Sequence, residues 1–142
     1  MGVNKYSALK AQQRHIETSF DSFKCNVTRT NILVCYGWIS QPDCDSYKVR
    51  IEYVYGHEPK TTILLPVIEP SKEIHMYSDH SLCLHYPPDM WWNAQIKVFS
   101  YTIPWISEWI CCYEIFKMTG KWEGVESPVH FRESERNVNV EH

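Results

Sequence analysis

"SYKVRIEYVYG", residues 46–56, alternates without a break. Tyr47, Val49, Ile51, Tyr53 and Tyr55 fall on one side; Lys48, Arg50 and Glu52 fall on the other. A period of two is the signature of a strand with one face on a core and one towards water. Working outward, "NILVCYGWI" before it is apolar at nearly every position, as in a central strand covered on both sides. "TTILLPVI" after it is shorter and carries Pro66, which marks an edge strand or a strand end. The links "SQPDCD" and "GHEPK" are short and rich in turn formers. Short links between consecutive strands predict an antiparallel meander of three or four strands.

Both flanks are helical. In "NKYSALKAQQRHIETSFDSF", Tyr6, Leu9, Gln13, Ile16, Phe20 and Phe23 recur at three- and four-residue steps, and Lys, Gln and Arg fill the opposite face. In "SYTIPWISEWICCYEIFKMTGKW", Trp105, Trp109, Cys112 and Phe116 make a stripe with Ile106, Ile110 and Tyr113 beside it. Thr102 reads as its N-cap, Pro104 as a first-turn residue and Gly120 as its C-cap, so a buried helix is expected from about residue 102 to 119. The order predicts an α+β fold with helices beside a meander. One domain is expected over residues 1–142, with a polar tail from about 131, "FRESERNVNVEH".

The totals exclude some classes. A net charge of −3 gives no footprint for nucleic acid or an anionic membrane surface. No apolar run approaches the ~20 residues of a membrane span. The first residues lack the apolar stretch of a signal peptide, and Tyr6 breaks a myristoylation pattern in "MGVNKYS", so a cytoplasmic protein is expected. On that ground the Asn26-Val27-Thr28 sequon reads as chance. The cysteines at 25, 35, 44, 83, 111 and 112 contain no C-x-x-C pair, so no zinc site is expected. In a reducing compartment most would be small buried apolar residues.

Residues 69–100 break the periodic pattern. "EPSKE" is a loop, "YSDHS" a turn, and "YPPD" excludes regular structure. A long irregular stretch containing tryptophans is more often functional than disordered. It holds Cys83, set between two leucines with His80, His85 and Asp79 close by in sequence. Cys83 reads as a core thiol, a metal ligand or a nucleophile.

The stretches "IHMYSDHSLCLHYPPD" (74–89) and "IPWISEWICCYEIFKMTGKWEGVESPVH" (103–130) resemble the stand-alone conjugating-enzyme-like proteins of short type II CBASS antiphage operons. These form a bacterial branch of the ubiquitin-conjugating (UBC) fold. The shared pattern is His-x-Tyr, a small turn, Leu-Cys-Leu and Tyr-Pro-Pro, then Pro-Trp opening a helix that ends in Thr-Gly-x-Trp, near a Gly and a Pro-x-His. The resemblance is carried by residues 74–130; the first 70 match in element order. It implies a cysteine acyltransferase without a cofactor. Cys83 would take the C-terminal carboxylate of a cGAS-like nucleotidyltransferase as a thioester, in antiphage defence. The eukaryotic branch has His-Pro-Asn before the cysteine, with the Asn serving the oxyanion. Here His75-Met76-Tyr77 stands in that place, so Tyr77 or a backbone N–H would supply the donor. His80 stands where the pattern leads one to expect a glycine, and Asp79-His80 still permits a turn.

For the supporting residues two readings stand side by side. His75 either fixes the loop or handles protons. His85, two residues beyond Cys83 on an extended segment, would share its side and lower the thiol pKa, or is a solvated histidine. Trp91 and Trp92 cannot both face a core if extended, so one is a candidate partner contact. The Cys111-Cys112 pair lies mid-helix and reads as core. Four functions compete: a conjugating-type acyltransferase, an inactive UBC-like binding module, a Cys–His hydrolase, and an interaction protein whose aromatic surface forms a homodimer. No Gly-rich phosphate loop is visible, so the carboxylate would be activated elsewhere.

Overall fold

The computed structural model describes residues 4–84 and 98–124. Helix α1 (Lys5–Ser19) is followed by strands β1 (Lys24–Val27), β2 (Ile32–Ser40), β3 (Ser46–Val54) and β4 (Lys60–Leu65), and then by helix α2 (Val98–Thr119). The strands form one antiparallel sheet in the order β1-β2-β3-β4. This is the α+β, UBC-like arrangement expected. The expected polar tail lies outside the described residues.

The alternation in β3 does what its pattern predicts. Tyr47, Val49, Ile51 and Tyr53 are fully buried, while Lys48, Arg50 and Glu52 lie on the other face, where Arg50 pairs with Glu52 at 3.4 Å. The core joins this face to Leu33, Cys35 and Ile39 of β2, Ile63 of β4, Leu9 and Ile16 of α1, and Phe99, Ile103, Ile106, Trp109 and Ile110 of α2. Among the described residues, helices cover one face of the sheet. Strand β2 is therefore not covered on both sides: its outward Tyr36 and Trp38 are exposed, Trp38 at 45%. Its apolar run reflects an aromatic solvent face, not a second layer.

α1 opens on Asn4, whose side chain accepts the Ser7 N–H at 3.1 Å. Its buried face is Ala8, Leu9, Gln12 and Ile16, whereas Tyr6 points to solvent and Phe20 and Phe23 lie past the helix end. Strand β1 lacks the apolar pattern that would announce it. α1 holds it in place: Glu17 accepts the Cys25 N–H at 2.8 Å, and the Gln13 amide donates to the Cys25 carbonyl at 2.9 Å. Cys25 and Cys35 are directly opposed in the β1–β2 register, with Cα atoms 4.1 Å apart, and they form a disulfide rather than two free core thiols. The outward-facing polar groups of Cys25 mark this as a non-hydrogen-bonded pair, the pair type whose side chains come closest.

α2 begins earlier than the sequence predicts. Thr102 is buried inside the helix instead of capping it, and Pro104 sits past the first turn. A proline there strands the carbonyl four residues back. Ser100 and Pro104 are both exposed, which puts this break in the ladder on the solvent side of the helix. The Val98 N–H is taken by the buried Gln12 side chain of α1 at 3.1 Å, which ties the start of one helix to the middle of the other. Near the other end, the Tyr47 hydroxyl donates to Glu114, which also accepts from Lys117 at 2.9 Å. Burial acts against the Glu114 charge, but these two donors outweigh it and lower its pKa. Gly120, at φ 76°, closes the helix by donating its N–H to the Phe116 carbonyl at 2.8 Å. No helix among the described residues is long and apolar enough to cross a membrane.

Gly37 of β2 lies directly against the face of the Phe23 ring, where an added Cβ would collide. Gly37→Ala is expected to destabilise the fold by about 1–3 kcal/mol through overpacking. Trimming the ring with Phe23→Leu should recover part of that loss. Urea midpoints of the single and double variants check this, and strictly additive effects would contradict the contact.

Candidate functional site around Cys83

The segment after β4 folds back on itself and onto the sheet. Met76 and Leu82 bridge as an antiparallel pair, and Ser81 bridges to Thr62 of β4. The Leu82 N–H donates to the Thr61 carbonyl at 2.8 Å, and the Ile63 N–H to the His80 carbonyl at 3.2 Å. Residues 75–83 thus form a small hairpin laid along the outer edge of β4. Its apolar side chains Ile74, Met76, Leu82 and Leu84 enter the core. That explains why Cys83 is flanked by leucines: the residues on either side anchor the segment.

The hairpin turn is built from short polar groups. The Tyr77 N–H donates to the Ser81 carbonyl at 2.9 Å, and the His80 N–H to the Tyr77 carbonyl at 2.8 Å. His80 takes φ 71°, the left-handed conformation anticipated for a position where a glycine would be easiest. The Asp79 carboxylate accepts the Ser81 N–H at 2.9 Å and pairs with Lys60 of β4 at 2.9 Å. Partial burial pushes the Asp79 carboxyl up, but the hydrogen bonds from Ser81 and Lys60 outweigh it and hold it at about 2.

His75 and Cys83 meet across the base of the hairpin. The Cys83 N–H donates to the His75 carbonyl at 2.9 Å. His75 has φ 57°, a left-handed conformation that costs a residue with a side chain about 1–2 kcal/mol. Three contacts keep this bend: that hydrogen bond, the His75 N–H to the Lys72 carbonyl at 3.0 Å, and the Trp109 indole N–H to the Ile74 carbonyl at 2.7 Å. The His75 ring lies on Trp122, with centroids 5.2 Å apart. The Tyr77 hydroxyl points at the Cys83 sulfur, 3.2 Å away. Cys83 is 5% exposed, less than the partial exposure expected of a reactive thiol, because its segment is drawn into the core on both sides.

The structure therefore brings together three sequence candidates, Cys83, Tyr77 and His75. His85, Trp91 and Trp92 lie outside the described residues. Of the other cysteines, Cys112 is buried on α2, Cys111 is exposed, and Cys44 lies in the β2–β3 turn. Cys44 has a raised pKa, first from burial and then from nearby negative charge led by Glu114. Among the described residues no cluster of His, Cys, Asp and Glu is arranged to hold a metal ion. Sequence reasoning missed Trp122 as a neighbour of the site. Its signal was the Thr-Gly-x-Trp ending, in which the glycine turns the chain back towards His75.

The family model described as Type II CBASS E2 protein matches residues 12–130, from the second turn of α1 through the Cys83 hairpin and α2. Among curated proteins, none matches the chain.

Two outcomes follow from this geometry. Trp109 is 4% exposed and Trp105 is only half-buried, so Trp109→Ala should cost about 3–5 kcal/mol and Trp105→Ala clearly less; chemical unfolding distinguishes them. For Asp79 the folded pKa lies below the ordinary 3.8, so its stabilisation is present above that value and is lost as pH falls towards about 2. Its side chain is 50% exposed, and screening reduces the contribution to about 1 kcal/mol. Asp79→Ala should therefore be less stable than the parent in neutral buffer by about that amount, with the gap closing near pH 2. A gap of constant size across the titration would refute the assignment.

Proposed function

The chain belongs to the Type II CBASS E2 protein family, and on that premise we propose that it is a cysteine-dependent acyltransferase with Cys83 as its nucleophile. The acyl group is the C-terminal carboxyl of a cGAS-like nucleotidyltransferase, held as a thioester and passed on to prime or conjugate that synthase in antiphage defence. The single observation that carries the reading is the Tyr77 hydroxyl on the Cys83 sulfur at 3.2 Å, at the end of a hairpin held from two sides. A hydroxyl donating to sulfur favours the thiolate, the form that attacks.

The chemistry follows from that placement. Cys83 attacks the carbonyl carbon of an activated acyl donor, the C–S bond forms, and the leaving group departs with its electron pair. Negative charge gathers on the carbonyl oxygen during the attack, and donors aimed at it lower the barrier. Among the described residues Tyr77 is a side-chain donor near the sulfur; its single O–H is released as the sulfur's electron pair goes into the C–S bond and can then turn to the oxyanion, in the place that the His-Pro-Asn asparagine holds in the eukaryotic branch. His75 serves by holding the bend, through the carbonyl that receives the Cys83 N–H. His85 remains the candidate proton carrier, and Trp91 and Trp92 the candidate partner contacts.

One observation favours a second reading, a UBC-like binding module without chemistry: the burial of Cys83. The same experiment decides between them. Incubated with its partner and an activating source, the protein should gain the mass of the acyl group, and added thiol should remove it. Cys83→Ser should give a slowly formed adduct that resists mild thiol, and Cys83→Ala none, with the fold retained. Tyr77→Phe should slow adduct formation by about a hundredfold to a thousandfold, the range for losing one oxyanion donor. A thiol-labile adduct surviving Cys83→Ala would remove Cys83 from the chemistry.

A further inference from the structure

We propose that the uncovered face of the sheet is a platform for a single strand of nucleic acid: its bases stack on Tyr36 and Trp38 of β2, and Lys24, Lys48 and Arg50 beside them take its phosphates. The inference is independent of the acyl-transfer reading and uses none of the residues around Cys83.

The register places these five side chains together, because residues paired across neighbouring strands project from the same face. Tyr36 is opposite Lys24 of β1 and Arg50 of β3, so its ring lies between two cations. Trp38, two residues on, is opposite Lys48. Alternate side chains on a strand stand about 6.6 Å apart, so the two rings are neighbours on one side of the pleat. Tyr36 is 43% exposed and Trp38 much the same. Among the described residues, neither ring packs against another aromatic ring, and neither Lys24 nor Lys48 has a carboxylate partner. Arg50 reaches Glu52 through Nη2, while its Nε is buried and meets no acceptor among them.

The net charge of −3 hides this patch, because it sums over every face of the chain. The charged side chains on the outer face of the strands are Lys24, Lys48, Arg50, Glu52 and Lys60, four cations to one carboxylate. Glu52 answers Arg50, and Asp79 of the hairpin answers Lys60, which leaves Lys24 and Lys48. The sign selects the occupant. A second copy laid face to face would set these cations against their own kind, whereas a polyanion meets the opposite charge. An acidic protein segment satisfies the lysines and leaves the two ring faces unused. Unpaired bases use both, since every base has a π-face and stacking on an aromatic ring is indifferent to sequence. A duplex does not, because its bases are stacked on one another. Aromatic rings on an open sheet, with cations at their side, are a general means of holding single strands.

The test titrates fluorescein-labelled oligothymidine and oligouridine of about twelve nucleotides, within the site sizes of single-strand binders, with the full chain and follows anisotropy. A duplex of the same length and polyglutamate are run beside them. The protein should bind one or both strands, and the stronger of the two tells DNA from RNA as the source. Log affinity should fall against log salt with a slope of about −2, three cations at about 0.7 each. Trp38→Ala and Tyr36→Ala should each weaken binding about fivefold to a hundredfold. Trp38→Phe, which keeps a ring face, should retain most of the affinity, and Lys48→Glu should weaken binding and flatten the salt slope. Thermal melts check that the variants fold; where an alanine variant does not, Trp38→Phe and Lys48→Glu decide. Absence of strand binding overturns the proposal, and so does equal affinity for the duplex or full binding by the folded alanine variants. Displacement of the strand by polyglutamate at equal concentration also overturns it, and makes the face a docking site for an acidic protein.

Discussion

The hydrogen bond from the Cys83 N–H to the His75 carbonyl closes the base of the hairpin, and the site depends on it. It fixes the spacing between a residue in a left-handed bend and the thiol. It lets Tyr77, on one arm of the hairpin, reach the sulfur on the other. A hairpin this small has little stability of its own. It persists because Ile74, Met76, Leu82 and Leu84 lie in the common core and because the arm carrying His80 and Leu82 is bonded to β4.

The polar contacts of the two helices serve the same end. Gln12 ties α1 to the first turn of α2, Tyr47 ties β3 to Glu114, and Trp109 ties α2 to the Ile74 carbonyl. Each joins elements distant in sequence, and each is buried or partly so, where a lost partner leaves a costly unpaired group. α2 is therefore a fixed wall behind the hairpin. Apolar packing supplies its adhesion, and these few directional bonds set its register.

Where one face of an element met the core and the other met water, the fold was legible in the sequence. β3 is the clearest case, because its period of two is unbroken. β2 was misread as doubly covered because Tyr36 and Trp38 are apolar yet face solvent, and hydrophobic character alone does not say which side has a layer on it. β1 had no pattern to read: Lys24, Cys25, Asn26 and Val27 become a strand through the side chains of Gln13 and Glu17 and through the bond to Cys35. The start of α2 was placed late because Pro104 looks like a first-turn residue, and only its exposure explains why a later position tolerates it. At the site, the turn at the left-handed His80 could be read from local pattern. The contact of Tyr77 with sulfur required the hairpin register, and that of His75 with Trp122 required the return of the chain after α2; both are facts of tertiary geometry.

The hairpin that carries Cys83 also acts as a selvedge for the sheet. Without it β4 would present a bare row of N–H and carbonyl groups, the kind of edge that recruits a strand from another molecule. The Thr61 carbonyl and the Ile63 N–H are occupied by the hairpin, and Lys60 adds a charge paired to Asp79 beside them. The backbone that presents the thiol is thus the one that covers this edge of the sheet. Loosening this segment to admit a larger substrate would draw on the same bonds that cover the β4 edge, which ties the reach of the site to the closure of the sheet.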